Sequence, residues 1–187
     1  MTSKPTNPYI LGLKLFGIQL VMALVSVLFM GSFSRFLGSN TGMKIYSSFT
    51  AFFYLSSYYS AVWQAGRKDI KHAKVQHNIN GSKINGRSST WIISSIIAAI
   101  PNMVFLIILY INGAQGKLNI FYRLLQSCFL GWLGDDYLTY LPNCLIVTLI
   151  PFVLSFIGYL AGTKEFVFLE KYLPMLIYKK KDDKKKK

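Results

Sequence analysis

Four long apolar stretches separated by polar ones set the pattern of the chain. They run from about Leu13 to Phe33, Ile45 to Trp63, Trp91 to Ile111 and Cys144 to Gly162. An α-helix needs about 20 mostly apolar residues to cross a hydrocarbon core, and each stretch is close to that length. In lipid such segments are helical, because their backbone groups must bond within the segment. The pattern predicts an all-α protein, an integral membrane four-helix bundle. Residues 1–178 read as a single transmembrane domain and 179–187 as a lysine-rich tail. The first stretch is longer than a usual signal-peptide core. No small-x-small cleavage site follows it at Met30-Gly31-Ser32-Phe33-Ser34, so it is expected to be retained.

Two further segments carry a helical period without the length to span. Between Leu118 and Leu133, Phe121, Leu124, Leu125, Cys128, Phe129 and Trp132 recur at helical spacing. Asn119, Arg123, Gln126 and Ser127 fall largely opposite. That pattern suits a helix lying in the outer interface, apolar side in lipid and polar side in water. A re-entrant helix is the alternative. After the fourth stretch, Phe166, Leu169, Leu173, Leu176 and Ile177 predict a short inner juxtamembrane helix interrupted by Pro174.

Composition sharpens this picture. Hydrophobic residues make up 52% of the chain and charged ones 15%, where a soluble domain has about 25% charged. Such apolar bulk excludes a disordered chain. Lys and Arg number 21 against 7 Asp and Glu. These cations flank apolar runs, which argues against a nucleic-acid-binding domain. Their placement sets orientation. The connection from Gln64 to Thr90 carries Arg67, Lys68, Lys71, Lys74, Lys83 and Arg87 against Asp69 alone, and the tail runs to Lys187 through a lysine series. Both are assigned to the cytoplasm, with both termini there. A fifth crossing by residues 118–133 would separate the two basic segments, so none is expected. Each cation near an anionic leaflet contributes about 1 kcal/mol, making anionic lipids the expected cytoplasmic partner. An acidic protein partner is the sharper reading. Trp63 and Trp91 mark the inner interface; Tyr46, Tyr110, Trp132, Tyr137 and Tyr140 mark the outer one.

The spans hold little chemistry. No Asp, Glu, Lys, Arg or His lies in the central part of any of them, which counts against ion-coupled transport and intramembrane catalysis. Gln19, Asn102, Pro101 and Pro151 are candidates for a polar path or for helix contacts. Two proline-bearing helices can frame a binding site. Prolines are also widely tolerated in spans, and an asparagine readily bonds a neighbouring helix. Gly158 and Gly162 form a G-x-x-x-G, and serines and alanines recur four apart in spans two and three, so helix backbones can approach closely. Asp135 and Asp136 suit a solvated turn better than a cation site. His72 and His77 lack the companions a metal needs. Cys128 and Cys144 read as small apolar residues before they read as a bridge. No catalytic serine motif or phosphate-binding loop appears, and no cofactor is implied.

The series Trp63-x-x-Gly66-x-Lys68-Asp69, then Gly86-Arg87 and a span with a central Pro101, resembles uncharacterised small multi-span membrane proteins of low-GC Gram-positive bacteria. The likeness covers the second and third spans and their connection. It implies a bacterial plasma membrane and carries no activity. The expected role is a non-enzymatic subunit or accessory partner of a larger membrane complex. The alternative is a small homo-oligomeric transporter or channel with a path near the third and fourth spans.

Overall fold

The computed structural model describes residues 5–33, 40–81, 89–111, 117–133 and 137–164. The elements are α1 (Pro8–Phe33), α2 (Asn40–Asn80), α3 (Ser89–Ile111), α4 (Lys117–Leu125), a 3-10 turn (Ser127–Phe129), α5 (Leu130–Leu133) and α6 (Tyr137–Thr163). The described residues are thus helical with short connections. Local chemistry fixes several helix ends. Asn7 caps α1, its Oδ1 accepting the Tyr9 N–H at 3.0 Å, and Pro8 supplies a first residue that needs no donor. Gly81, at φ 64, ends α2 and donates its N–H to the His77 carbonyl.

Three helices are long and apolar enough to cross a membrane: Pro8–Met30, Ser89–Ile111 and Pro142–Thr163. The second expected span lies within α2, whose polar content keeps it below that mark. Part of this polarity faces inward. Ser47, Thr50, Tyr54 and Tyr58 share the buried face, while Ile45, Phe49, Phe52 and Phe53 are exposed on the opposite side. The expected connection after Trp63 is also different: α2 continues unbroken to Asn80. At 41 residues it is about 61 Å long, roughly twice a hydrocarbon core. Lys83 and Arg87 lie outside the described residues, as do Asp135, Asp136, the segment around Pro174 and the lysine tail.

The four long helices close into a ring. α2 packs along α6 and α1 along α3, and α1–α2 and α3–α6 contacts complete the circuit. One end of the ring, called upper here, carries Phe33, Asn40 and Ile111. The lower end carries Pro8, Ser89 and Thr163, and beyond it α2 projects as a stalk.

The segment from Lys117 to Leu133 does not take the flat interfacial course and follows the alternative, infolded one. It folds back between the long helices. Ser127 Oγ donates to the Ala23 carbonyl at 2.9 Å, Thr50 Oγ1 donates to the Cys128 carbonyl at 3.0 Å, and the Gly131 N–H donates to Ser47 Oγ at 2.7 Å. Ala23 lies ten residues short of the end of α1, so the turn sits about 15 Å below the upper rim. Gln126, Ser127, Cys128 and Phe129 are buried, whereas Phe121, Leu124 and Trp132 are exposed. The amphipathic pattern is real, but its polar side faces the protein interior. Within lipid that is the stable orientation, because only other helices supply hydrogen-bond partners there.

Candidate functional site

Two buried polar centres stand out. The first lies deep in the ring. Gln19 of α1 and Asn102 of α3 form a reciprocal amide pair: Gln19 Nε2 donates to Asn102 Oδ1 at 3.0 Å, and Asn102 Nδ2 donates to Gln19 Oε1 at 2.9 Å. Gln126, at the tip of the infolded segment, donates its Nε2 to the same Asn102 Oδ1 at 3.1 Å. All three side chains are buried. Asn102 follows Pro101, whose missing N–H leaves the Ile97 carbonyl without its helical donor. α3 runs through Pro101, and α6 through Pro142 and Pro151.

Beside the amides is a cavity of about 10 Å³ lined by Gln19, Tyr54, Tyr58, Asn102, Thr148 and Pro151, among others. That is room for about one water. Ser155 Oγ donates to Tyr58 Oη at 3.2 Å. The centre is neutral and rich in both donors and acceptors. It suits holding a water or a small polar group, and it contains no general acid or base near neutral pH.

The second centre is at the lower end. Asp69 is buried, its Oδ1 accepting the Thr6 N–H at 2.8 Å and its Oδ2 the Tyr159 hydroxyl at 2.9 Å. The carboxylate thus ties the segment before α1 to α2 and α6. It stands on a close helix crossing. A methyl group at Gly66 would sit 2.5 Å from the Tyr159 carbonyl oxygen, and one at Gly162 would collide with the Trp63 carbonyl. Gly158 lies against Tyr59 on the same seam. So the G-x-x-x-G lies at the contact with α2 inside this chain. The motif residues Trp63, Gly66 and Asp69 gather at this crossing, and the Arg67 guanidinium lies 5.3 Å from the centre of the Trp63 ring.

Other candidates lie apart. Lys68, Lys71 and Lys74 are exposed along the stalk. Cys128 and Cys144 are both buried and are not joined in a disulfide. Among the described residues no group of His, Cys, Asp and Glu could hold a metal ion. Trp91 packs on Phe152 and Phe156 of α6. Tyr46, expected at the outer interface, is buried with its hydroxyl bonded to Ser26. Sequence reasoning missed Gln126, Asp69 and Tyr159 as site residues. The spacing of Gly66 and Asp69, three apart and hence neighbours on a helix, was the available signal.

No protein-family model, no curated protein and no solved structure matches the chain.

Proposed function

We propose that the protein is a non-enzymatic, four-span subunit or accessory partner of a larger assembly in a bacterial plasma membrane, with both termini cytoplasmic. The observation that carries the reading is α2. Its upper part presents phenyl groups outward in line with the three apolar helices, as a fourth span does. Its lower part continues as a basic helical stalk. Arg67 and Lys68 stand near the lower rim, at the level where anionic headgroups meet cations. Lys74 lies seven residues further, about 10 Å along the helix, which exceeds the Debye length of about 8 Å at physiological salt. That distance favours an acidic protein surface over a lipid surface as the counterpart of the stalk as a whole. Val75 and Ile79 are exposed beside these lysines and offer apolar contact to the same partner. Native mass spectrometry of the tagged protein in mild detergent tests the reading. A stoichiometric second protein, lost when Lys71 and Lys74 become glutamates, is expected. Release of monomer alone, under conditions that preserve other membrane complexes, would refute it.

A second reading rests on the amide cluster. An infolded segment tipped by Gln126 and meeting Gln19 and Asn102 resembles the way transporters build a polar site at mid-membrane. On this reading the protein is a small homo-oligomeric transporter or channel. Flux through vesicles of purified protein would then fall in the Asn102→Leu variant. Unchanged flux would remove Asn102 from any path.

A further inference from the structure

The outward face of α2 changes character along its length. Above, it presents Phe49, Phe52 and Phe53; one to three turns lower, the same side presents Ser56, Ser57, Ser60 and Gln64, all exposed. Here α1 and α2 part. They are tied above, where Tyr46 of α2 reaches Ser26 of α1, and below, where Thr6, just before α1, reaches Ala65 and Asp69. Between these ties lies a shallow, wide-open surface groove of about 410 Å³ lined by Lys14, Ile18, Ser56, Ser57, Ser60, Ala61 and Gln64. Ser56 lies eleven residues above Arg67, so the groove climbs about 16 Å from the lower rim.

We propose that this groove is a binding site for the phosphate–glycerol region of an anionic phospholipid of the cytoplasmic leaflet. The inference rests on the reading of α1 and α2 as membrane spans. A lateral surface of hydroxyls, an amide and an ammonium is costly against hydrocarbon, and a span seldom carries one without a counterpart. The lining groups are matched to one kind of ligand. Lys14 is the charged side chain of the groove, and its ammonium and the serine hydroxyls offer an array of donors, with Gln64 Nε2 donating to Ser60 Oγ at 3.3 Å. A phosphodiester is an anion that only accepts hydrogen bonds, so it complements such an array. The apolar side chains Leu13, Val21 and Phe53 are exposed near this flank and supply a bed for acyl chains. Lys14 is on the second turn of α1, within snorkelling reach of headgroup depth.

The test uses the full chain in nanodiscs of equimolar phosphatidylglycerol and phosphatidylcholine, with retained lipid counted by native mass spectrometry. The wild type is expected to hold a phosphatidylglycerol in preference to phosphatidylcholine. Lys14→Gln should lower that occupancy about fivefold, the factor expected for one cation at an anionic headgroup. The Ser57→Leu/Ser60→Leu variant fills the groove without burdening the lipid face, and the same loss is expected. Lys71→Gln/Lys74→Gln should leave the lipid in place. Equal retention by wild type and Lys14→Gln, or loss that follows only the stalk lysines, would overturn the site. So would stoichiometric cross-linking of a Ser57→Cys variant to another polypeptide. Alkaline extraction separates the two levels of failure: protein that never inserts sinks the membrane reading, whereas inserted protein without the lipid sinks the groove alone.

Discussion

The two buried polar centres are built from opposite materials. The amide cluster at mid-height is neutral, and three side chains from distant segments share their hydrogen bonds there. The lower centre is a carboxylate, held by a backbone N–H and a tyrosine hydroxyl beside the rim. The difference follows depth. A charge at the bilayer centre costs about 2.5–3.5 kcal/mol on insertion scales, while an amide paired there loses far less. Charge is tolerated near the rim, where desolvation is partial. Specificity also differs. The amides fix how the infolded segment meets α1 and α3, and Asp69 fixes how α2 and α6 meet the chain before α1. The first pins the interior to the walls; the second pins the walls to one another.

The crossing beneath Asp69 gives the largest expected effect. Gly162→Val forces a branched side chain into the space held by the Trp63 carbonyl. Backbone cannot yield as a flexible side chain does, so α2 and α6 must separate and Asp69 must lose Tyr159. We expect destabilisation beyond about 4 kcal/mol, the range reserved for core overpacking and buried polar loss together. Unfolding in mixed micelles measures it. A loss below about 1 kcal/mol would mean the crossing is not closed in the membrane.

The amide cluster comes next, and its prediction concerns coupling. Asn102→Leu removes one acceptor from two glutamine donors and one donor from Gln19. Hydrogen bonds between membrane helices average about 0.6 kcal/mol and reach about 1.7, so a loss of about 2 kcal/mol is expected. Adding Gln19→Leu should cost little more, because removing both partners leaves fewer orphaned groups than removing one. Strictly additive losses would show that the two amides do not bond each other.

The two centres were unequally legible in the sequence. Gln19 and Asn102 stood out as polar residues inside apolar runs, and both lie in the cluster. Their mutual bond was not readable, because they lie 83 residues apart. Gln126 was read on the water-facing side of an interfacial helix. Amphipathicity gives the polar side of a segment but not whether water or protein awaits it, and the structure has protein. Asp69 was counted as one acid among many cations, since nothing local reveals that Tyr159 and Thr6 reach it. Three long apolar helices were legible from length and hydropathy, and so was the helicity of the second stretch, which lies within α2. The stalk was not, although no Gly or Pro lies between Gly66 and Gly81 and the intervening residues tolerate a helix. The end of apolarity was read as the end of the helix.

The smallest effect separates the roles of the two centres most cleanly. Tyr159→Phe deletes one hydroxyl and keeps the ring, which is buried against α2. Asp69 loses a donor but keeps the Thr6 N–H. A loss of about 1.5 kcal/mol is expected, the low end for one hydrogen bond to a charged group. The change is expected to act at the lower end alone. Hydrogen exchange should rise at Thr6 and through the first turns of α1, whereas amides around Gln126 keep their protection. Tyr159 bonds Asp69 at the lower end, whereas Asn102 bonds Gln19 and Gln126 at mid-height, and well-separated sites add independently. If exchange rose equally around Gln126, the two centres would form one coupled network, and the carboxylate at the rim would govern how firmly the infolded segment is held.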